Sequence, residues 1–241
     1  MTRGHPPRHR SGVDQRLIAA SLRDSCLFEN ADEAALEDIA RQLRRRRFRR
    51  NVTNFPQGDP GDSQHIVSSG AVKIVLPSLE GEEAIIATLR SGDFFGELAL
   101  LDGAPRSATA VALEASETWT LPRDVFLARL DADTALRDSL LAGLARELRR
   151  LTGHVEELHF LDLAGRLASR LARLAREAEP GADEVRLDWP YTQSDLASMI
   201  GGTRQSVNKL LSGLAERGLV SIEKDTLLIP DVAALELEAE R

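Results

Sequence analysis

Six apolar residues, Leu141, Leu144, Leu148, Leu151, Val155 and Leu158, follow one another at separations of three, four, three, four and three. That spacing is a heptad seam two and a half repeats long. A helix carrying such a seam leaves an apolar stripe on one face. The stripe must bury itself against its own chain or against a partner helix, and its regularity favours a helix pair, hence a dimer. The seam also divides the sequence, because strand texture dominates the residues just before it and helical texture those just after it.

Residues 16–47 read as helices, with Leu36, Ile39, Ala40 and Leu43 spaced along one face. From Phe48 to Leu121 short apolar runs alternate with Gly, Pro and Asp: HIVSSG, AVKIVLP, EAIIATLRSGD, TAVALE and TWTLP. Many short strands joined by tight turns predict a small barrel or jelly roll. The basic run Arg44 to Arg50, RRRRFRR, is read as a solvated helix end passing into the first strand, with a nucleic-acid patch as the sharper alternative. After the seam, Asp162 is placed to cap a helix through Leu163, Leu167, Leu171 and Leu174, and Phe160-Leu161-Asp162 marks a hinge. Residues 177–185, EAEPGADEV, read as a loop.

Thr192 followed by Asp195 predicts a capping box that opens a short helix bearing Leu196 and Ile200. Gly201-Gly202 makes a turn, and Thr203 caps a second helix, RQSVNKLLSGLAERG. Helix, glycine turn and helix in this compass match a helix-turn-helix. In the second helix Val207, Leu210, Leu211 and Leu214 fall on one face, and Arg204, Gln205, Asn208 and Lys209 on the other. Arginine pairs with guanine, Asn and Gln with adenine, and Lys with guanine or phosphate. A structural helical hairpin has the same outline, but LVSIEKDTLLIP reads as two strands around Lys224-Asp225, the hairpin wing of a winged helix.

The chain of 241 residues has room for two domains. Its net charge of −7 argues against nucleic acid in bulk, so only a local basic surface can serve. Cys26 is the single cysteine, which excludes an internal disulfide and an iron–sulfur cluster held by several thiolates of one chain. Residues 1–15 read as a disordered tail, and no apolar run is long enough to span a bilayer.

These residues resemble the cAMP receptor protein and fumarate–nitrate regulator (Crp/Fnr) family of bacterial transcription factors, over about Leu17 to Val232. FGELALLDGAPRSAT, Phe95 to Thr109, looks like the family's phosphate-binding cassette; TRQSVNK, residues 203–209, like its recognition helix; FLDLAGR, residues 160–166, like its hinge. The resemblance implies an α+β chain: an N-terminal cyclic-nucleotide-binding β jelly-roll barrel (16–130), a long dimerisation helix with its hinge (131–161) and a C-terminal winged helix-turn-helix (162–241). It implies a cyclic nucleotide effector, cAMP first with cGMP or another as alternatives, and no metal. Its partners would be a second copy, a palindromic operator in double-stranded DNA and RNA polymerase, in the cytoplasm and off the membrane.

The site residues follow from that cassette. Arg106 can pair with the phosphate through two parallel hydrogen bonds, with Ser107 as a hydroxyl donor. Glu97 can accept from the ribose 2′-hydroxyl, Gly96 allows close backbone approach, and Leu98 belongs to the same binding set. Two consecutive polar residues touch the base in cAMP-binding relatives; here Leu151 and Thr152 stand there, and only Thr152 keeps a hydroxyl. The DNA-reading set is Thr203, Arg204, Gln205, Ser206, Asn208 and Lys209, where Gln205 replaces the family's usual acid.

A constitutive dimer, or one with another effector, remains open at this point, including a haem protein using His65, His154 or His159. A regulatory module of a kinase or channel predicts a kinase glycine loop or membrane spans, which the sequence lacks. Catalysis lacks a Walker loop, a metal-ligand cluster or a nucleophile elbow.

Overall fold

The structure, a computed structural model, describes residues 18, 19, 22, 23, 25, 27, 28 and 31–240. The expected tail at 1–15 and Cys26 lie outside the described residues. Up to residue 132 the chain runs α1 (Glu33–Gln42), β1 (Arg44–Phe48), β2 (Thr53–Phe55), β3 (Ser63–Ser69), β4 (Val72–Pro77), β5 (Glu83–Leu89), β6 (Phe94–Phe95), α2 (Leu98–Leu101), β7 (Thr109–Ala112), β8 (Ser116–Pro122) and α3 (Arg123–Ala132). It continues with α4 (Thr134–Phe160), α5 (Leu163–Ala178), β9 (Val185–Asp188), α6 (Gln193–Ile200), α7 (Arg204–Glu216), β10 (Ser221–Glu223), β11 (Thr226–Ile229) and α8 (Val232–Ala239). The described residues form two compact units: those up to Val72 with Leu89–Ala145, and Lys73–Thr88 with those from Arg146 onward.

In the first unit, Asp32 caps α1 by accepting from the Ala35 N–H at 2.7 Å, and the expected stripe of Leu36, Ile39 and Ala40 is buried. The helix ends at Gln42, so the arginine run is not a helix end: Arg44–Phe48 is itself a strand. The reason is the partner strand. Arg45 and Arg47, two residues apart and so on one face, both reach Glu117 of β8, Arg45 through a fork at 2.6 and 2.7 Å and Arg47 at 2.6 Å. β1 is the edge of an antiparallel sheet of order β1-β8-β3-β6, and β2 pairs antiparallel with β7. One face of that first sheet offers Ile66 and Leu121 to a core with Leu36, Ile39, Leu43, Leu100, Phe126 and Leu136. The alternate residues His65, Thr118 and Thr120 turn to its other face, with His65 opposite Thr120 in register.

The seam lies on α4, 27 residues in one continuous helix of roughly 40 Å. Leu136 and Leu140 near its start are buried, but Leu141, Leu148, Val155 and Leu158 are 58%, 67%, 54% and 40% exposed. Leu144 packs on the chain's own core and Leu151 is half-buried, so the stripe is only partly consumed by its own chain.

In the second unit Asp162 caps α5 by accepting from the Gly165 N–H at 2.8 Å, as its position predicts. The helix runs to Ala178, so the expected loop is shorter than 177–185, and Val185–Asp188 is a strand rather than a tail of that loop. β9 joins the wing hairpin in a sheet of order β10-β11-β9. Lys224 takes the left-handed conformation (φ 53°) that the two-residue turn needs, and the Asp225 carbonyl accepts from the Trp189 N–H at 2.7 Å. The β4–β5 hairpin belongs to this unit. Lys73 of β4 donates to Asp195 of α6 at 2.9 Å, with side chains 12% and 10% exposed, and stands 3.6 Å from Glu83. Lys73→Met is expected to destabilise the protein by about 2–3 kcal/mol in urea unfolding, because it strands a buried carboxylate. An unchanged midpoint would show that the pair is not energetically coupled.

Candidate sensor pocket and nucleic-acid interface

The cassette places Arg106 inside the first unit, 4% exposed. Its main chain is fixed at both ends: the Arg106 N–H donates to the Asp59 carbonyl at 2.8 Å, and its carbonyl accepts from Gly58 at 2.9 Å. The guanidinium lies over the Phe55 ring, 4.1 Å from the centroid, a cation–π contact that fixes its plane. Its terminal nitrogens donate to the Gly96 and Ser63 carbonyls, each at 2.6 Å. Asp62 stands 3.5 Å away on an exposed side chain. Two of five N–H groups are thus used, and Nε is sealed without a hydrogen bond among the described residues. Burial pushes this guanidinium down from its ordinary value, opposed by the charges of Asp62, Glu97 and Asp59. It stays a cation, with donors left for an anion.

Gly96 is required here for two reasons. Its φ is +84°, and a Cβ would stand 2.5 Å from the Arg106 terminal nitrogen. Glu97 follows at the N-cap of α2, half-buried, its carbonyl accepting from Leu100 and Leu101, and its charge is close enough to act on Arg106. Leu98 is 46% exposed, and Ser107 is exposed with its carbonyl held by the Gln57 amide at 3.1 Å. Gly96, Glu97 and Arg106 are therefore gathered in one place, while Leu98 and Ser107 face outward at its rim. Thr152 lies in the second unit, where its hydroxyl donates to the Leu148 carbonyl at 2.9 Å.

Sequence reasoning missed the aromatic lining. His65 stacks on Phe95 (4.9 Å between centroids, 23° between planes), and Phe55 tilts against both rings. Burial first, then the Arg106 charge, pushes the His65 imidazole down to about 3. Unfolded, it would titrate near its ordinary value, so the unfolded chain binds the extra proton between about pH 6.5 and 3. Stability is complete above that window and falls as the pH drops through it. Between pH 7 and 5 the wild type is expected to lose about 2 kcal/mol more than His65→Phe in urea unfolding. Parallel losses would place the titration elsewhere. His154 instead pairs with Glu157 at 3.5 Å, and His159 hydrogen-bonds the Val155 carbonyl at 3.0 Å; both lie in the second unit.

The reading element is built by caps. Thr192 accepts from the Asp195 N–H at 3.1 Å while Asp195 accepts from the Thr192 N–H at 2.9 Å, the expected capping box. Burial alone would raise the Asp195 carboxyl, but the Thr192 bonds and Lys73 outweigh it and hold it below the usual carboxylate range. Gly201 ends α6 in the left-handed conformation (φ 72°), and Thr203 caps α7 by accepting from the Ser206 N–H at 3.1 Å. Val207, Leu211 and Leu214 are buried and Leu210 half-buried; Arg204, Gln205, Asn208 and Lys209 are exposed together on the opposite face. That face carries two cations and two amides on a chain that is acidic in bulk. Arg166 is a further residue missed by pattern reading. It donates to the Leu158, Leu161 and Ile200 carbonyls at 2.9, 3.1 and 3.3 Å, tying the hinge to the end of α6.

Comparison with known proteins matches residues 45–133 to the cyclic nucleotide-binding domain and residues 165–238 to the Crp-like helix-turn-helix domain. The chain is 33% identical over 208 residues to the CRP-like cAMP-activated global transcriptional regulator of Mycobacterium tuberculosis, covering 85% of this chain and 92% of that one. It is 32% identical over 215 residues to the cyclic AMP receptor protein of Thermus thermophilus, covering 89% and 97%. FixK2 from Bradyrhizobium japonicum shares the fold at a TM-score of 0.72 and 21% identity, over 81% of this chain and 96% of that one. No helix among the described residues is long and apolar enough to cross a membrane. With its sensor barrel strands, long helix and helix-turn-helix in this order, the chain belongs to the Crp/Fnr family of DNA-binding transcription regulators.

Proposed function

We propose that this regulator is a homodimer whose operator binding is controlled by a cyclic nucleotide, cAMP before cGMP, held at Arg106. The observation that carries the reading is the buried Arg106 guanidinium, oriented by Phe55 and Gly96 and left with unused donors in a cassette that also carries Ser107. A phosphate diester brings one negative charge and forked acceptors, the complement of that cation. Glu97 would accept from the ribose hydroxyl, Gly96 and Leu98 would shape the approach, and Ser107 would add its hydroxyl. Thr152 is the candidate for the base. Its hydroxyl has an acceptor within its own helix and its neighbour Leu151 is apolar, so the base contact is the part of the site most open to a nucleotide other than cAMP.

The exposed seam Leu141, Leu148, Val155 and Leu158 supports pairing through α4, with the sensor domain placed at 16–130, the dimerisation helix and hinge at 131–161 and the reader at 162–241. Pairing would set two recognition helices about one DNA turn apart, ~34 Å, on a palindromic operator. Arg204, Gln205, Asn208 and Lys209 would meet base edges, and Thr203 and Ser206, at the helix start, the phosphates. RNA polymerase would be the further partner, in the cytoplasm, and no metal enters this reading. Titration calorimetry of the purified protein with cAMP, cGMP and a cyclic dinucleotide tests it. Saturable binding of a cyclic mononucleotide is expected, and no binding by any of the three would contradict it.

A further inference from the structure

The second unit contains a buried cation with no ion-pair partner among the described residues. Arg170 of α5 is 6% exposed, and among the described residues no hydrogen bond or ion pair reaches its guanidinium; its Nε is sealed from solvent. Burial pushes this group down from its ordinary value, Arg173 and Arg150 push it further, and only Glu177 and Tyr191 oppose them. The acids that meet Arg173 and Arg150 are committed to them. Glu157 accepts from Ser169 at 2.8 Å and from Arg173 at 3.1 Å, and Glu147 holds Arg150 in a fork at 2.6 and 2.8 Å. Arg150 spends another donor on the Ile86 carbonyl at 2.6 Å, whereas the Arg173 Nε is a second sealed donor without a bond.

An arginine cannot shed its charge to escape burial, and a buried cation without a partner is costly enough to mark a missing ion. Arg150 and Arg173 hold carboxylates at ion-pair distance and Arg170 holds none, so the Arg170 fork is left to match a phosphate group. We propose that Arg170, with Arg173 and Arg150 beside it, forms a binding site for a small phosphate-bearing anion in the second unit, distinct from the sensor pocket at Arg106.

The test is thermal unfolding of the full chain carrying Arg106→Leu, which removes the sensor cation, in potassium phosphate against potassium chloride at equal ionic strength. At inorganic phosphate about ten times its dissociation constant, the midpoint is expected to rise by about 3 °C. Adding Arg170→Met is expected to abolish that rise while leaving the protein at least as stable in chloride, because the orphan charge is gone. Arg170→Lys keeps the charge and loses the fork, so it should weaken phosphate binding about tenfold; it also serves if Arg170→Met does not fold. An AMP arm separates sources: stabilisation by both probes assigns the site to the phosphate group itself, and by AMP alone to a nucleotide. A midpoint indifferent to both, or a phosphate response unchanged in the Arg170 variants, would overturn the proposal.

Discussion

Arg106→Leu is expected to weaken cyclic-nucleotide binding by a factor on the order of a hundred to a thousand in titration calorimetry. A charge-assisted fork to phosphate supplies about 3–4 kcal/mol, and leucine offers no donor to replace it. The side chain also has a structural role, since it satisfies the Gly96 and Ser63 carbonyls. Some loss of stability is expected too, about 1–2 kcal/mol, tempered because a buried cation is removed at the same time. Arg106→Lys separates the two contributions: it preserves charge without the planar fork or the stack on Phe55, and should bind with intermediate affinity. Wild-type affinity in Arg106→Leu, with the variant folded by circular dichroism, would remove Arg106 from the ligand site.

Leu148→Asp is expected to convert the dimer to monomer at micromolar concentration, read by sedimentation equilibrium. Leu148 sits near the middle of the seam and is 67% exposed on the single chain. In a two-fold pair each substitution counts twice, so two apolar contacts of about 1.5–3 kcal/mol are lost and two like charges face each other. The dimer dissociation constant should rise more than a thousandfold. Operator affinity should fall with it, because one recognition helix then meets only one half-site. Leu141→Asp, closer to the buried start of α4, should act less strongly. A Leu148→Asp protein that sediments as a dimer would place the interface on another surface.

The parts of this molecule legible in sequence are those whose physics is local. The seam, the Thr192–Asp195 box, the Asp162 and Thr203 caps and the Lys224-Asp225 turn all place partners within a few residues of each other, so spacing reveals them. The arginine run looked like a helix end because its partner Glu117 lies 72 residues from Arg45. Lys73 and Asp195 are 122 residues apart, and no periodicity links them. β9 is only four residues long and gains its identity by pairing with β11. Within the candidate sensor site, Gly96, Glu97 and Arg106 lie in one short cassette, so spacing alone groups them. The Phe55, His65 and Phe95 rings that shape it come from three separate strands. Their meeting is a consequence of sheet register, which spacing along the chain does not encode.

The central claim is that occupancy of the Arg106 pocket controls the exposed face of α7. It is tested most directly by fluorescence anisotropy of a labelled palindromic operator, titrated with the wild type and with Arg106→Leu, each with and without saturating cAMP. Coupling between two sites in one protein is commonly about 1–3 kcal/mol, a factor of roughly 5–150 in affinity. The wild type is expected to change its operator affinity by a factor in that range when cAMP is added, and Arg106→Leu by none. Equal operator affinity with and without cAMP in the wild type, at a concentration shown by calorimetry to fill the pocket, would contradict the claim.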